Sequence, residues 1–491
     1  MNVTELVVFI IYFILVLVIG LYFFLKTRHG GEKEFFLGGR KMNGLVSALS
    51  AGASDMSSWV LMGLPASVFT AGLGEAWIAI GLAIGTILSW ILVAPRLRRF
   101  SIVADDSITL PQYLTKRFKT NNKALQIICA IIFICAYAIY AASSIKACGT
   151  LFSTVIPALD PRVAMYIAAA IIIVYTFLGG FSAVCWTDFF QGLLMLAALM
   201  LAPIIALFAV KGGSGAIAAG DMAANYWSLL PSGRLDWASI SGILTGLAWG
   251  LGYFGMPHII IRYMAIKSPK EVKKSRVIGS IWTCLILFFA VAVGLVGRVL
   301  LGDSISDSST VFISMVRMLF PAVISGILLS AILAAAMSTA DSQLLASASA
   351  FASDVYKPVF RKKAGDKEMI WIGRVVVIII SIVAVLIAAN PNSGSIMNLV
   401  SNAWGVFGAA FGPVILLSLF WKKLSFGGAI AGIVCGAGVD ILWLIFCGGT
   451  GIYELLPGFV AGIIGAVIVS LIKAPSKEVQ TLFEEAKAYD K

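Results

Sequence analysis

Apolar runs of about 20 residues recur along the whole chain, the first at Val7–Leu25 and the last at Leu455–Leu471. A helix needs a run of about this length to cross roughly 30 Å of hydrocarbon. Because 60% of the residues are hydrophobic and only 12% are charged, a water-soluble fold could not cover all these runs. The pattern predicts an all-α polytopic membrane protein with about thirteen transmembrane helices, at 4–26, 43–68, 73–98, 124–156, 162–182, 187–210, 237–265, 277–301, 312–350, 370–389, 396–420, 426–447 and 454–473.

Lysine and arginine are distributed unevenly between the loops on the two sides of these helices. One side carries 30 of the 36 basic residues, the other carries five, and Lys146 lies within a span. Cytoplasmic loops are enriched in Lys and Arg, so we expect a multi-pass cell membrane protein with its N-terminus outside and its C-terminus in the cytoplasm. The loop distribution also accounts for the net charge of +12 without nucleic acid as a partner.

Loops and cysteines indicate that function lies inside the helix bundle. The seven cysteines lie in or beside spans without Cys-x-x-Cys spacing, which indicates neither a disulfide framework nor a zinc site. No loop is long enough for a soluble catalytic or signalling domain, and no nucleophile–base pair indicates an enzyme. We expect no cofactor and no obligate protein partner. The lipid bilayer is the expected surrounding of the protein.

The second span places a carboxylate and hydroxyls at membrane depth. Its stretch from Ser50 to Met62 contains Asp55, four serines and a glycine. An ionisable group at this depth costs about 2.5–3.5 kcal/mol and usually faces a cavity or a partner. Small residues also favour local unwinding, which exposes carbonyl oxygens that can bind Na⁺. We interpret Asp55 as the partner of a bound cation, with backbone oxygens of Ala53 and Met56 as ligands. The alternatives are a structural ion pair for Asp55 and a helix-packing face for the serines.

The seventh span contains three glycines and a proline between Leu247 and His258, so a regular helix cannot run through it. Gly250–Gly255 formally matches a dinucleotide-binding motif, but that motif needs a preceding strand in a soluble fold. A second broken helix remains, five spans after the first. This is the spacing expected of two five-helix repeats inverted about the membrane plane.

Two aromatic residues lie beside this second break. Trp249 and Tyr253 are four residues apart and share a helix face. They predict a wall for a small apolar ring, since no Asn, Gln, Glu or Lys between Trp237 and Pro257 could meet the hydroxyls of a sugar. Core or lipid packing is the alternative for both rings.

The ninth span introduces hydroxyls into an alanine-rich helix. Ser338 and Thr339 follow Ala335 by about one turn. Together with Ala53 and Met56 they make a neutral set of five oxygen ligands, which suits a monovalent cation. Helix packing or hydrogen bonding to the preceding turn is the alternative.

Two further carboxylates, Asp188 and Asp341, predict a second cation or proton site with Ser338 and Ser342. For Asp188 the alternative is a capping residue at a helix start, because Thr187 and Asp188 precede an apolar run.

Several motifs resemble the sodium/solute symporter family, and within it the bacterial members that import proline. The motifs are Leu37–Arg40, Ala48–Ser57, Trp249–Gly255 with Pro257 and His258, and Ser330–Ala335. The resemblance implies a leucine-transporter-type core of ten helices in two inverted repeats within a single transporter domain, 1–491. It divides the chain into a leading helix and cytoplasmic loop (1–40), the core (41–420), two additional helices (421–473) and a cytoplasmic tail (474–491).

The resemblance also implies roles for individual residues. Its sodium-site positions correspond to Ala53, Met56, Ala335, Ser338 and Thr339, with Asp55 in sodium coupling. Its substrate pocket corresponds to Ser57, Tyr140, Trp249, Tyr253 and Pro257, and Arg40 corresponds to a residue that gates inward release. Ser58 and Met256 depart from the family pattern, which leaves fine substrate preference open, and Asp341 departs too, which leaves the number of cations open.

The function that follows is sodium-coupled import of L-proline by alternating access, with Na⁺ as the coupling ion and the only metal. A sodium or proton symporter for another small amino or carboxylic acid is the alternative within transport. A solute sensor would need an output domain, and a channel would need a continuous polar stripe on several helices.

Overall fold

A computed structural model describes residues 3–27, 31–178, 180–210 and 222–489. Residues 211–221, in the predicted loop after the sixth span, and the last two residues of the predicted tail lie outside these ranges. The described helices are numbered here in chain order: α1 Val3–Thr27, α2 Glu32–Leu37, α3 Gly44–Asp55, α4 Trp59–Ala71, α5 Leu73–Val103, α6 Leu110–Arg117, α7 Ala124–Val155, α8 Pro161–Leu178, α9 Phe181–Ala209, α10 Trp237–Ala248, α11 Pro257–Ala265, α12 Pro269–Leu301, α13 Val311–Leu319, α14 Ala322–Phe360, α15 Asp366–Ala389, α16 Ile396–Phe420, α17 Phe426–Phe446, α18 Leu455–Ile472 and α19 Lys477–Ala488.

Ten of the described helices are long and apolar enough to cross a membrane, and the bent pair α10 and α11 makes an eleventh. The all-helical membrane fold is therefore confirmed, whereas the number thirteen remains a prediction. The two other predicted spans are the broken pair α3 and α4 and the 18-residue helix α8.

The predicted span 312–350 was wrong in its bounds. The structure divides this region into α13, which ends at Leu319, and α14, which begins at Ala322. Phe320 and Pro321 lie between them in extended or non-helical conformation. Proline has no backbone N–H and restricts the residue before it to extended conformations, so one helix cannot continue through this point.

Two breaks divide the second and seventh spans. The first lies between Asp55, the last residue of α3, and Trp59. The second follows a 3₁₀ turn, Trp249–Phe254, and bends the chain by 43° before α11. An isolated bridge joins Met42, just before α3, to Ile266, just after α11. One broken span therefore begins where the other ends, so the two run in opposite directions.

Glycines bring neighbouring helices close to the second break. A methyl group at Gly85 of α5 would lie 2.2 Å from the carbonyl oxygen of Gly250. At Gly252 it would lie 2.1 Å from Trp404 Nε1 on α16. Neither contact leaves room for a side chain, so these glycines let α5 and α16 enclose the broken segment.

Candidate functional site

Asp55 lies at the end of α3, where the first break meets the second. The carboxylate is 1% exposed and accepts a hydrogen bond on Oδ2 from the Tyr253 hydroxyl. Within the described part of the chain, Oδ1 has no hydrogen-bond partner and no basic side chain pairs with Asp55. The structure therefore does not provide the structural ion pair considered for Asp55 from the sequence.

The hydroxyls of α14 meet the opened end of α3. Ser338 Oγ donates to the Ala53 carbonyl oxygen at 2.8 Å, and the Thr339 hydroxyl lies 3.5 Å from the same oxygen. Ser338 Oγ also lies 3.2 Å from the Ala335 carbonyl oxygen. Met56 is fully buried at the break, where its N–H bonds the Gly52 carbonyl oxygen. The structure thus brings together oxygens of four of the five residues predicted for the sodium site.

The aromatic wall contains more rings than the sequence indicated. Trp249 and Tyr253 are 4% and 2% exposed and both contact Trp404 of α16, with ring centroids 6.4 and 5.2 Å away. Trp404 Nε1 donates to the Trp249 carbonyl oxygen at 2.8 Å. Tyr453, just before α18, stacks on Trp249 at 5.0 Å. Sequence reasoning missed Trp404 and Tyr453 because both are far from Trp249 along the chain.

The other predicted pocket residues also surround the breaks. The Tyr140 hydroxyl, on α7, lies 3.4 Å from the Asp55 carbonyl oxygen. Ser57 Oγ accepts a long bond of 3.4 Å from the Trp59 N–H at the start of α4. Pro257 begins α11, and the next N–H, that of His258, donates to the Tyr137 hydroxyl at 2.9 Å. The first N–H group of α11 therefore already donates to a protein hydroxyl.

The predicted second cation site contains an arginine. Arg262 of α11 is 2% exposed, and its Nη2 donates to Asp188 Oδ2 at 3.1 Å and also to Ser342 Oγ. Its Nε donates to Ser50 Oγ, which in turn donates to Asp188 Oδ2 at 2.6 Å. Ser342 Oγ lies 3.2 Å from Asp341 Oδ1. Asp188, Asp341 and Ser342 do lie together, but a guanidinium supplies positive charge among them.

Two interpretations of this region were wrong. Asp188 lies in the interior of α9, which begins at Phe181, so it is not a cap at a helix start. The 30 basic residues expected on the cytoplasmic side included Arg262, whereas the structure buries it. The signal that could have found it is charge balance, since two carboxylates at membrane depth need a nearby cation and Arg262 follows an apolar run in a predicted span.

Arg40 makes hydrogen bonds to several segments at one end of the molecule. Its guanidinium donates to the Met264 carbonyl oxygen at 2.6 Å, to the Ser107 carbonyl oxygen at 2.8 Å and to Asp106 Oδ1 at 2.9 Å. Partial burial raises the pKa of Asp106, but the hydrogen bond from Lys33 and the charge of Arg40 outweigh it, and the pKa lies below its ordinary value. Arg40 thus connects the segment before α3 to the end of α11.

A cavity of about 500 Å³ lies at the opposite end of the broken second span. It is lined by residues of α4, including Ser67 and Thr70, by Lys146 of α7 and by Asp307 and Ser395. Since α3 leads from Arg40 to the break and α4 leads from the break to Thr70, the Arg40 contacts and this cavity lie at opposite ends of the broken second span.

The sequence and structure both have known relatives. The Sodium:solute symporter family matches residues 35–436. The osmoregulated proline transporter OpuE of Bacillus subtilis is 43% identical over 96% of this chain and 96% of its own. The sodium/proline symporter of Escherichia coli is 43% identical over 99% of this chain and 96% of its own.

Solved structures show the same fold. A Na⁺-coupled sialic acid symporter in a substrate-bound outward-open state has a TM-score of 0.80 at 22% identity and covers 96% of this chain and 99% of its own. The nucleobase-cation-symport-1 family transporter Mhp1, in a closed conformation, has a TM-score of 0.59 at 14% identity. The match covers 92% of this chain and 98% of the Mhp1 chain. These similarities confirm the leucine-transporter-type fold. With the family match, they show that this chain belongs to the sodium:solute symporter family and is a multi-pass membrane transporter, not an enzyme.

Proposed function

We propose that this protein imports L-proline together with Na⁺ by alternating access. The observation that carries the proposal is the junction of the two breaks, where Asp55, Tyr253, the Ala53 carbonyl oxygen and the Ser338 and Thr339 hydroxyls meet. The names of relatives at 43% identity over nearly the whole chain support proline as the solute.

Na⁺ binds between α3 and α14 in this proposal. The ligands are the carbonyl oxygens of Ala53, Met56 and Ala335 and the hydroxyls of Ser338 and Thr339. Both hydroxyls already lie within 3.5 Å of the Ala53 oxygen, so an entering ion exchanges those hydrogen bonds for cation–oxygen contacts. Asp55, buried beside them, supplies negative charge that a nearby Na⁺ offsets.

We place proline between the two breaks and the aromatic wall. We place its carboxylate at the start of α4, where the helix presents N–H groups and a partial positive charge. The bond from Trp59 N–H to Ser57 Oγ is at the long limit for hydrogen bonds, so a carboxylate displaces it readily. The α11 start is a poorer site because Tyr137 caps it. The ring packs against Trp249 and Tyr253, near Tyr140 and Pro257, and the secondary ammonium meets carbonyl oxygens at the breaks.

In this proposal the protein alternates between a state that is closed at one end and a state that is closed at the other. Na⁺ and proline enter through the cavity beside α4, and release requires the Arg40 contacts at the other end to open. The distribution of basic residues assigns the Arg40 end to the cytoplasm, with the N-terminus outside, the C-terminus inside and the protein in the cell membrane. One Na⁺ moving through 100 mV supplies about 2.3 kcal/mol, and a tenfold gradient adds about 1.4 kcal/mol. The sum supports roughly 500-fold accumulation of proline.

Asp188, Asp341 and Ser342 take a different part in this proposal. Because Arg262 supplies positive charge there, this cluster holds α11 against α9 and α14 and contributes no Na⁺ in addition to the one at the break.

Uptake of labelled L-proline into proteoliposomes tests the function. An inward Na⁺ gradient should drive accumulation, and replacement of Na⁺ by K⁺ should abolish it. The same vesicles with other labelled small amino acids and carboxylates test the substrate. Accumulation of another solute but not proline, under the Na⁺ gradient, would contradict the proline assignment and leave the symporter mechanism standing.

A further inference from the structure

Two buried carboxylates lie outside the candidate site, where α16, α17 and α18 meet. Asp440 is 1% exposed and lies in α17, six residues before the helix ends at Phe446. Six residues of helix are about 9 Å long. Glu454 is 7% exposed and directly precedes α18. A methyl group at Gly405 of α16 would lie 2.8 Å from Asp440 Oδ1 and 3.4 Å from Glu454 Cγ. Both side chains therefore approach the same point on α16.

These carboxylates have oxygens without partners. Asp440 Oδ1 and Glu454 Oε1 are buried and accept no hydrogen bond from any described residue. None of the ion pairs in the described ranges includes either residue. Buried carboxylates are normally paired or fully hydrogen-bonded, because an isolated negative charge in this environment is costly. Two such charges side by side need a positive charge from outside the protein.

A proton meets this need with the groups present. A metal ion requires several ligands, and within the described residues no group of three or more His, Cys, Asp and Glu side chains could hold one. We propose that Asp440 and Glu454 form a proton-binding site in which the two carboxyl groups together hold one proton. This site is separate from the sodium site at the breaks.

The site is connected to the aromatic wall through the residue before Glu454. Tyr453 stacks on Trp249 at 5.0 Å, and its hydroxyl donates to the Ser401 carbonyl oxygen at 2.7 Å. When the proton leaves, repulsion between the two carboxylates moves the segment that carries Tyr453 and disturbs the stack on Trp249. Protonation thereby keeps the wall in the arrangement described here.

Few other titratable groups face the pair. Tyr453 is close enough to both carboxylates, and to Tyr140 of α7, to interact with them electrostatically. The facing parts of α16 contribute Gly405 and Trp404, and α10 contributes Thr245, whose hydroxyl accepts from the Tyr453 N–H. Neither tyrosine has a carboxyl group, so a protonated-carboxyl signal at this place is assigned to Asp440 and Glu454.

Infrared spectroscopy of the purified full-length protein in liposomes tests the site directly. We expect an absorption band of a protonated carboxyl group that disappears as the pH rises and is insensitive to Na⁺ at constant pH. Asp440→Asn and Glu454→Gln should each remove the whole band, because one neutral partner lets the other carboxyl group ionise. Asp354→Asn is the matched control, since Asp354 is buried but accepts from Thr109 and Gln126 on its two oxygens. Its substitution should leave this pH-dependent band intact.

Two results would overturn the proposal. One is a spectrum in which neither Asp440→Asn nor Glu454→Gln changes the pH-dependent band. The other is loss of the band on addition of Na⁺ at constant pH, which would make the pair a sodium site. These readouts do not depend on transport.

A second experiment tests the connection to the wall, and this part rests on the proposed proline transport. The KM for proline should rise about tenfold from neutral to alkaline pH, within the usual range for coupled sites. Asp440→Asn should flatten that profile and Asp354→Asn should not. An unchanged profile in Asp440→Asn would refute the connection. Absence of any proline uptake would refute the transport proposal, while the infrared result would still decide the proton site.

Discussion

Asp55 and Asp188 are both fully buried carboxylates in membrane helices, yet their partners differ. Asp188 lies within the continuous helix α9 and is bonded by the Arg262 guanidinium and the Ser50 hydroxyl. Asp55 lies where α3 ends and is bonded by the neutral hydroxyl of Tyr253. The difference teaches that burial of a carboxylate does not by itself indicate an ion site. In the proposed function, the carboxylate that has a protein cation takes a structural part, whereas the one beside a helix break is available to a cation from solution.

The largest expected effect comes from removing the cation that pairs with Asp188. Arg262→Gln leaves Asp188 without its cation, and removing one partner of a buried ion pair costs about 3–5 kcal/mol. We expect a sharp fall in thermal stability of the purified protein. Asp188→Asn in the same chain should restore most of it. Arg361→Gln is the control, because Arg361 is 63% exposed and its ion pair with Glu368 contributes little. If Arg262→Gln is as stable as this control, the structural role of the pair is wrong.

The second largest effect comes from removing the negative charge of Asp55. Asp55→Asn keeps the shape of the side chain but removes its charge. We expect the Na⁺ concentration for half-maximal proline uptake to rise about 100-fold, since interactions of charged groups contribute up to about 3 kcal/mol. Stability without Na⁺ should change little, in contrast to Arg262→Gln. An unchanged Na⁺ concentration for half-maximal uptake in Asp55→Asn would remove Asp55 from the coupling mechanism.

Smaller effects sharpen the sodium site itself. Ser338→Ala and Thr339→Ala each remove one neutral oxygen, so we expect about a tenfold rise in the Na⁺ requirement for each. Proline affinity at saturating Na⁺ should stay close to normal. Ser349→Ala is a matched control on the same helix, where the hydroxyl bonds only the Ala346 carbonyl oxygen. An equal effect from all three substitutions would indicate packing of α14 instead of ion binding.

The smallest effect concerns the contact between Arg40 and Asp106. Because the pKa of Asp106 is lowered in the folded protein, its contact with Arg40 is complete above the ordinary titration range of an aspartate and is lost as the pH falls through the lowered pKa. Asp106→Asn should reproduce the acid effect at neutral pH and change proline efflux by about threefold or less, as expected for a partly exposed pair. Asp105→Asn, at an exposed neighbour paired with Lys116, serves as the control. Equal effects from both would exclude a specific role for the Arg40 contact.

Much of the architecture could be predicted because apolar length and helix-breaking residues are local signals. The break after Asp55 and the break before Pro257 were both expected from glycine, serine and proline in apolar helices, and both are present. The interruption at Pro321 was missed although proline is equally local, because the apolar run continues on both sides of it.

The site was predictable only in part because its contacts are not local. Ser338 and Thr339 were identified by an unusual pair of hydroxyls within one helix. Arg262 and Trp404 were missed because their importance depends on which distant helices they contact. Asp188 shows the same limit, since a polar residue before an apolar run is typical of a helix cap, and only tertiary structure distinguishes that role from a buried ion pair.

Direct binding of radioactive Na⁺ to the purified protein tests the distinction between the two carboxylates. We predict saturable binding of one Na⁺ per chain in the unmodified protein. Binding should weaken about 100-fold in Asp55→Asn, as expected when a charged partner is removed, and should be retained in the double variant Asp188→Asn with Arg262→Gln. Unweakened Na⁺ binding in Asp55→Asn, together with its loss in the double variant, would contradict the account and place the sodium ion at Asp188.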